Sequence, residues 1–148
     1  MRPLTLLEAE YIAHQLALEL LDYSHEPIPP FSTRYPHILE SCLEQPFQSY
    51  DGAELYPGIY QKAAVLFFLV TKNHPFKNGN KRMALTLTLT FLFMNEHFLE
   101  ISTDNLYKLS LEVAADSERS ISEAVASLTQ IFQEVGVSVD DVLLRSNL

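Results

Sequence analysis

Two apolar blocks that share one polar loop constrain this chain more than any other feature. "YPGIYQKAAVLFFLVTK" runs from Tyr56 to Lys72 and "KRMALTLTLTFLFMNE" from Lys81 to Glu96, with "NHPFKNGN" between them. Pro57 opens the first block as a helix whose apolar face holds Tyr60, Ala64, Phe67 and Phe68, ending near Lys72. The second block reads as a helix from near Asn80 to about Glu96. Its Ala84, Leu85, Leu87, Leu89, Phe91, Leu92, Phe93 and Met94 are apolar nearly all round, which predicts burial on most sides. Its Thr and Asn side chains can bond to their own backbone, so they do not forbid that burial. The loop should therefore lie where two buried helices meet.

The flanking segments supply partners for this pair. Thr5-x-x-Glu8 is a capping box, and Leu6, Ala9, Ile12, Ala13, Leu16 and Leu20 follow at helical spacing, predicting a first helix to about Asp22. "HEPIPPFSTRYP" is an irregular loop, and Pro36 opens a short helix that stops before Pro46. Aromatic segments flank Asp51-Gly52, a two-residue turn signal, so Pro46 to Tyr56 reads as a small β-hairpin flap. "FLEI" reads as a brief extended segment. Helices follow from about Thr103 to Ala115 and from Ser120, in a second capping box with Glu123, to Glu134, with a weaker turn after Ser138. The expected fold class is all-α: a single helical bundle over residues 1–148 with one small flap. That length suits one domain with a real core.

The longest unbroken apolar run, Ala63 to Val70, is too short to cross a bilayer. The N-terminus lacks an apolar segment followed by a small-residue cleavage site, so no export signal is expected. Cys42 is the only cysteine, which excludes an internal disulfide and fits a reducing compartment. The expected location is the cytoplasm, with no membrane partner.

A net charge of −9 argues against a general nucleic-acid binder. The distribution is more informative. No Asp or Glu occurs between Leu55 and Asn95, yet Lys62, Lys72, Lys77, Lys81 and Arg82 all lie there. A basic spot on an acidic body suits a compact anionic ligand better than an extended polyanion.

The loop carries the residue types that such a ligand needs. The first N–H groups of a helix carry partial positive charge and can hold a phosphate on backbone donors. Gly79 permits unusual dihedrals and close approach to the backbone. Asn80 adds side-chain donors, and Lys81 and Arg82 add full charges, arginine being able to grip two phosphate oxygens. His74 lies six residues before Asn80, across a Pro and a Gly, so the loop can curl its imidazole toward the anion. Histidine can take the proton from an attacking hydroxyl. Phe76 reads as an anchor pinned into the core. Together these residues suggest transfer of a phosphate-containing group from a nucleotide to a hydroxyl. His14, His25, His37 and His97 show no metal-ligand spacing with one another or with Cys42, and are read as structural.

"HPFKNGNKR" resembles the signature of the Fic/Doc family, a His-x-Phe-x-(Asp/Glu/Asn)-(Gly/Ala)-Asn-(Gly/Lys)-Arg loop bridging two central helices. The similarity to its Doc-like, death-on-curing branch extends over most of residues 1 to 115. The resemblance implies His74 as general base and Phe76 as loop anchor. It implies phosphate binding by Lys77, Asn78, Gly79, Asn80, Lys81 and Arg82. Lys81 and Leu85 stand where typical Fic adenylyltransferases carry a glycine and a second arginine; both departures favour the Doc branch. In that branch the nucleotide is implied to bind the other way round, so that its terminal phosphate is transferred.

Asn78 occupies the place where many members use an acid to hold Mg²⁺, and its amide oxygen is a weaker ligand for a hard cation. The flap residues Phe47, Gln48, Ser49 and Tyr50 are implied to pair with an extended target segment by strand addition. The implied co-substrate is ATP or another nucleotide with Mg²⁺. The implied acceptor is a protein with a Ser, Thr or Tyr hydroxyl, elongation factor Tu among the candidates. The chain lacks the Ser/Thr-x-x-x-Glu-(Gly/Asn) pattern of an inhibitory helix, which implies a separate antitoxin. Three other readings stay open: an adenylyltransferase that moves the nucleotide monophosphate instead, a Fic-fold module that binds nucleotide or partner without turnover, and a ribonuclease using His74 with Lys81 and Arg82.

Overall fold

The computed structural model describes residues 1–20 and 27–146. His25 and the expected end of the first helix near Asp22 lie outside them. The first helical segment runs as α1 (Leu6–Glu8), a π-helical stretch (Ala9–His14) and α2 (Gln15–Leu20), with the Thr5–Glu8 capping box in place at its start. α3 (Pro36–Glu44) follows and tightens into a 3₁₀ turn (Gln45–Phe47). Strands β1 (Ser49–Tyr50) and β2 (Ala53–Glu54) form the expected hairpin. Its turn residues Asp51 and Gly52 both take positive φ, at 52° and 79°, as a tight hairpin turn requires.

α4 (Ile59–Asn73) and α5 (Asn80–Met94) are the two apolar blocks, and they pack against each other at the centre. α4 is buried continuously from Lys62 to Thr71, and α5 is buried at all but a few positions. α6 (Thr103–Ala115) covers both helices, while α7 (Ile121–Val135) packs on α4, where Phe67 and Phe132 meet edge to face at 5.7 Å. The helical fold with a β-hairpin matches the expected class.

Several details differ from expectation. α5 ends at Met94 rather than near Glu96, because the Asn95 amide donates back to the Phe91 carbonyl at 2.9 Å and Glu96 turns left-handed (φ 66°). The extended segment is β3 (His97–Leu99). It pairs antiparallel with a strand the sequence reading did not expect, β4 (Gly136–Ser138). Gly136 is fixed there by contact: a Cβ would fall 2.4 Å from the Tyr60 hydroxyl, which is hydrogen-bonded to His97 Nδ1 at 3.0 Å. The last turn is an eight-residue helix, α8 (Val139–Ser146). No helix among the described residues is long and apolar enough to cross a membrane.

Candidate active site

The loop from His74 to Gly79 leaves α4 and enters α5 with two left-handed residues. His74 caps α4 at φ 52°, an unusual conformation for a residue with a Cβ and one that concentrates at functional sites. Gly79 precedes α5 at φ 73°, and a Cβ there would lie 2.5 Å from Ile28 Cδ1. Glycine is favoured there by its dihedral, and a Cβ would also force the Ile28 side chain to shift.

Between these ends Phe76 is 1 % exposed, its ring 6.1 Å from that of Phe31. Asn80, the first residue of α5, grips it from both sides: Oδ1 accepts from the Phe76 N–H at 2.9 Å, and Nδ2 donates to the Phe76 carbonyl at 2.9 Å. The same Nδ2 lies 3.4 Å from His74 Nδ1, a long contact beside the rim of the loop. Asn80 thus spends its side chain on the loop.

The proline-rich segment braces the loop from outside. Tyr35 N–H donates to the Pro75 carbonyl at 2.9 Å, and the Arg34 guanidinium lies over Phe31, 4.4 Å from its centroid. His14, buried in the first helical segment, pairs through Nε2 with the Pro29 carbonyl at 2.9 Å.

The loop and the start of α5 enclose a cavity of about 150 Å³ lined by Thr71, His74, Lys77, Asn78, Gly79, Asn80, Lys81 and Ala114. Six of the expected site residues are thereby brought to one space. The hydrogen-bond ladder of α5 begins with Met83 N–H donating to the Gly79 carbonyl, so the positive end of its dipole borders the cavity. Two ammonium groups and no carboxylate belong to the lining, which makes the site electropositive. Thr71 and Ala114 were not anticipated. Thr71 stands three residues before His74, a helical spacing that could have revealed it, whereas Ala114 arrives from α6 with no local signal.

Arg82 does not line the cavity. It is 5 % exposed and donates to the Ala17 carbonyl of α2. Two further basic residues of the acid-free window tie the fold together: Lys72 donates to the Asp116 carbonyl at the end of α6, and Lys62 is held beneath the flap. Phe47 roots that flap, edge to face with Phe91 at 6.0 Å, while Gln48, Ser49 and Tyr50 are exposed.

Asn78 Oδ1 already accepts from the Gly79 N–H at 2.9 Å, and it offers one neutral oxygen at most. No group of three His, Cys, Asp or Glu that could hold a metal occurs among the described residues. These residues do not form a resident Mg²⁺ site.

The model of the Fic/DOC family matches residues 3–92. The chain is 34% identical over 58 residues to the Toxin Doc of Mycolicibacterium smegmatis, a match covering 39% of this chain and 45% of that protein. It therefore spans less than half the length of the curated relative. No solved structure matches. With the family model covering more than half of the sequence, and the loop from His74 to Arg82 inside the match, this chain belongs to the Fic/DOC family.

Proposed function

We propose that this protein is a Doc-like toxin-type transferase that moves the terminal phosphate of a nucleotide to a hydroxyl of a target protein. One observation carries the reading: an imidazole, two lysines and a helix N-terminus share a single acid-free cavity. The cavity is smaller than the roughly 300–1,000 Å³ of sites that enclose a whole drug-sized ligand. It suits a phosphate tail, with the nucleoside lying outside.

In this reading Lys77, Lys81 and the α5 N-terminus neutralise the phosphates. His74 accepts the proton of the acceptor hydroxyl. The acceptor oxygen bonds to the terminal phosphorus as the bond to the bridging oxygen breaks, releasing the nucleoside diphosphate. Charge neutralisation and positioning supply most of the rate. A divalent cation would arrive on the nucleotide's own phosphates. Asn78 would add one amide ligand.

The exposed hairpin offers its outer edge to an extended segment of the target. The proposed setting is the cytoplasm, with a separate antitoxin as restraint and elongation factor Tu as the first acceptor to try. The missing carboxylate favours one second reading, a module that binds nucleotide without turnover.

Incubation with γ-labelled or α-labelled ATP, Mg²⁺ and cell lysate separates these. Label from the γ position alone, lost in His74→Ala, is the expected result. Label from α means transfer of the nucleotide monophosphate instead, and no label from either supports the binding module.

A further inference from the structure

Lys62 is a lysine buried without any exposed surface. Its ammonium sits under the flap, at the root of both strands. Nζ donates to Glu54 Oε1 at 3.2 Å and to the Tyr56 carbonyl, and it lies 5.0 Å from the centroid of the Phe47 ring. Phe47 precedes β1, Glu54 belongs to β2 and Tyr56 follows it, so one cation touches the hairpin's entry, its second strand and its exit.

The hairpin needs such a tie. Each strand has two residues, all four are exposed, and an isolated hairpin of that size is not stable in water. Burying an ammonium carries a large desolvation cost, and a methionine of similar length would fill the same slot without it. What the charge adds over an apolar chain is a set of directional bonds to the flap. Glu54 is half exposed, so its carboxylate remains hydrated on the outer side while the lysine holds the inner one.

We infer that Lys62 is a positioning residue for the protein acceptor: it fixes the flap to α4, the helix that ends at His74. About 18 Å of one rigid helix, at 1.5 Å per residue, separates Lys62 from the imidazole. A target strand laid on the flap is thereby held at a set place relative to the base. Nucleotide phosphates, bound at the far end of α4, do not depend on the tie. The inference rests on the proposed transferase reading.

Lys62→Met and Glu54→Ala test it, the second breaking the ion pair without touching the core. Hydrogen exchange is followed across the flap and the 74–82 loop, alongside ATP affinity and steady-state transfer to the acceptor that the wild type labels. Both variants should exchange flap amides about tenfold faster with the loop unchanged. The acceptor KM should rise about tenfold while kcat and ATP affinity stay within about twofold. A Lys62→Met chain that fails to fold leaves the Glu54→Ala result to decide. Flap exchange unchanged in the variants overturns the tie, and faster exchange with an unmoved KM overturns the positioning role. A wild type that transfers nothing overturns the transferase reading and the acceptor role with it, while the exchange data still judge the tie.

Discussion

Asn80 and Phe76 are bound through both polar atoms of one buried backbone residue, at 2.9 Å in each direction. The clasp turns a six-residue connection between two helices into a rigid frame, with Phe76 inside and His74 on the rim. Asn80→Ala leaves a buried N–H and C=O without their partners, a loss of about 1–3 kcal/mol, or a melting temperature lower by roughly 3–10 °C. Asn80→Asp keeps the acceptor but sets a carboxylate oxygen against the Phe76 carbonyl, so it should melt no higher than Asn80→Ala. Calorimetry on the three proteins checks the order. Equal stability of Asn80→Ala and wild type would remove the clasp from the account.

Much of this frame is legible in the sequence because its causes are local. Apolar periodicity marks α4 and α5, Pro57 and Gly79 punctuate them, Asp51-Gly52 marks the hairpin, and both capping boxes form. The remainder depends on partners far along the chain. The β3–β4 pairing joins Leu99 to Gly136, and nothing local at Gly136 announces that the Tyr60 ring lies against it. Residue types reveal that Asn80, Arg82, Lys62 and Lys72 carry donors. They do not reveal which donors the fold consumes, and Asn80 closes the loop while Arg82 turns inward to Ala17.

Gly79→Ala should weaken both the loop and its anion site. The left-handed φ of 73° strains any residue with a Cβ, and Ile28 Cδ1, 2.5 Å away, would have to move. The combined cost is about 1–2 kcal/mol. Because the strain falls on the residue that opens α5, affinity for ATP should drop with stability. Fluorescence titration with a nucleotide analogue reads the first and thermal melting the second; a variant altered in neither contradicts the geometry.

Asn78→Asp should change nucleotide binding in opposite directions with and without Mg²⁺. The cavity lining lacks a carboxylate, so the new one gives a hard cation an anionic oxygen and tightens Mg²⁺–ATP, by about tenfold. Without the cation the added charge repels the phosphates and ATP binds more weakly. Isothermal titration in Mg²⁺ and in chelator reads both arms. Parallel shifts would place residue 78 away from the phosphates.

The Thr88 hydroxyl is fully buried in α5 and has no hydrogen-bond partner among the described residues. Thr88→Val replaces it with a methyl group of nearly the same size. Removing an unsatisfied buried polar atom should stabilise the protein by about 1 kcal/mol, unlike most core substitutions. Denaturant unfolding should show a higher midpoint with an unchanged slope. A lower midpoint would mean that the hydroxyl is satisfied in solution.

Glu8 gives the start of the fold a defined acid sensitivity. The Arg2 guanidinium grips both carboxylate oxygens at 2.7 Å, and the Thr5 N–H adds a third bond at 3.0 Å. The hydrogen bonds from Arg2, opposed by partial burial and helped by Thr5, hold this carboxyl down at about 2, against an ordinary value of 4.5. A carboxyl depressed in the folded state contributes stability that is fully present above the unfolded value and is lost as pH falls from there toward the folded one. Arg2 is half exposed, which weakens the pair through solvent screening, so Glu8→Gln should cost only about 1 kcal/mol at pH 7, or about 2–4 °C. The gap between wild type and Glu8→Gln should narrow steadily between pH 5 and pH 3 in buffers of equal ionic strength. A gap that stays constant over that range would show that the stabilisation comes from packing of the side chain, with no contribution from its charge.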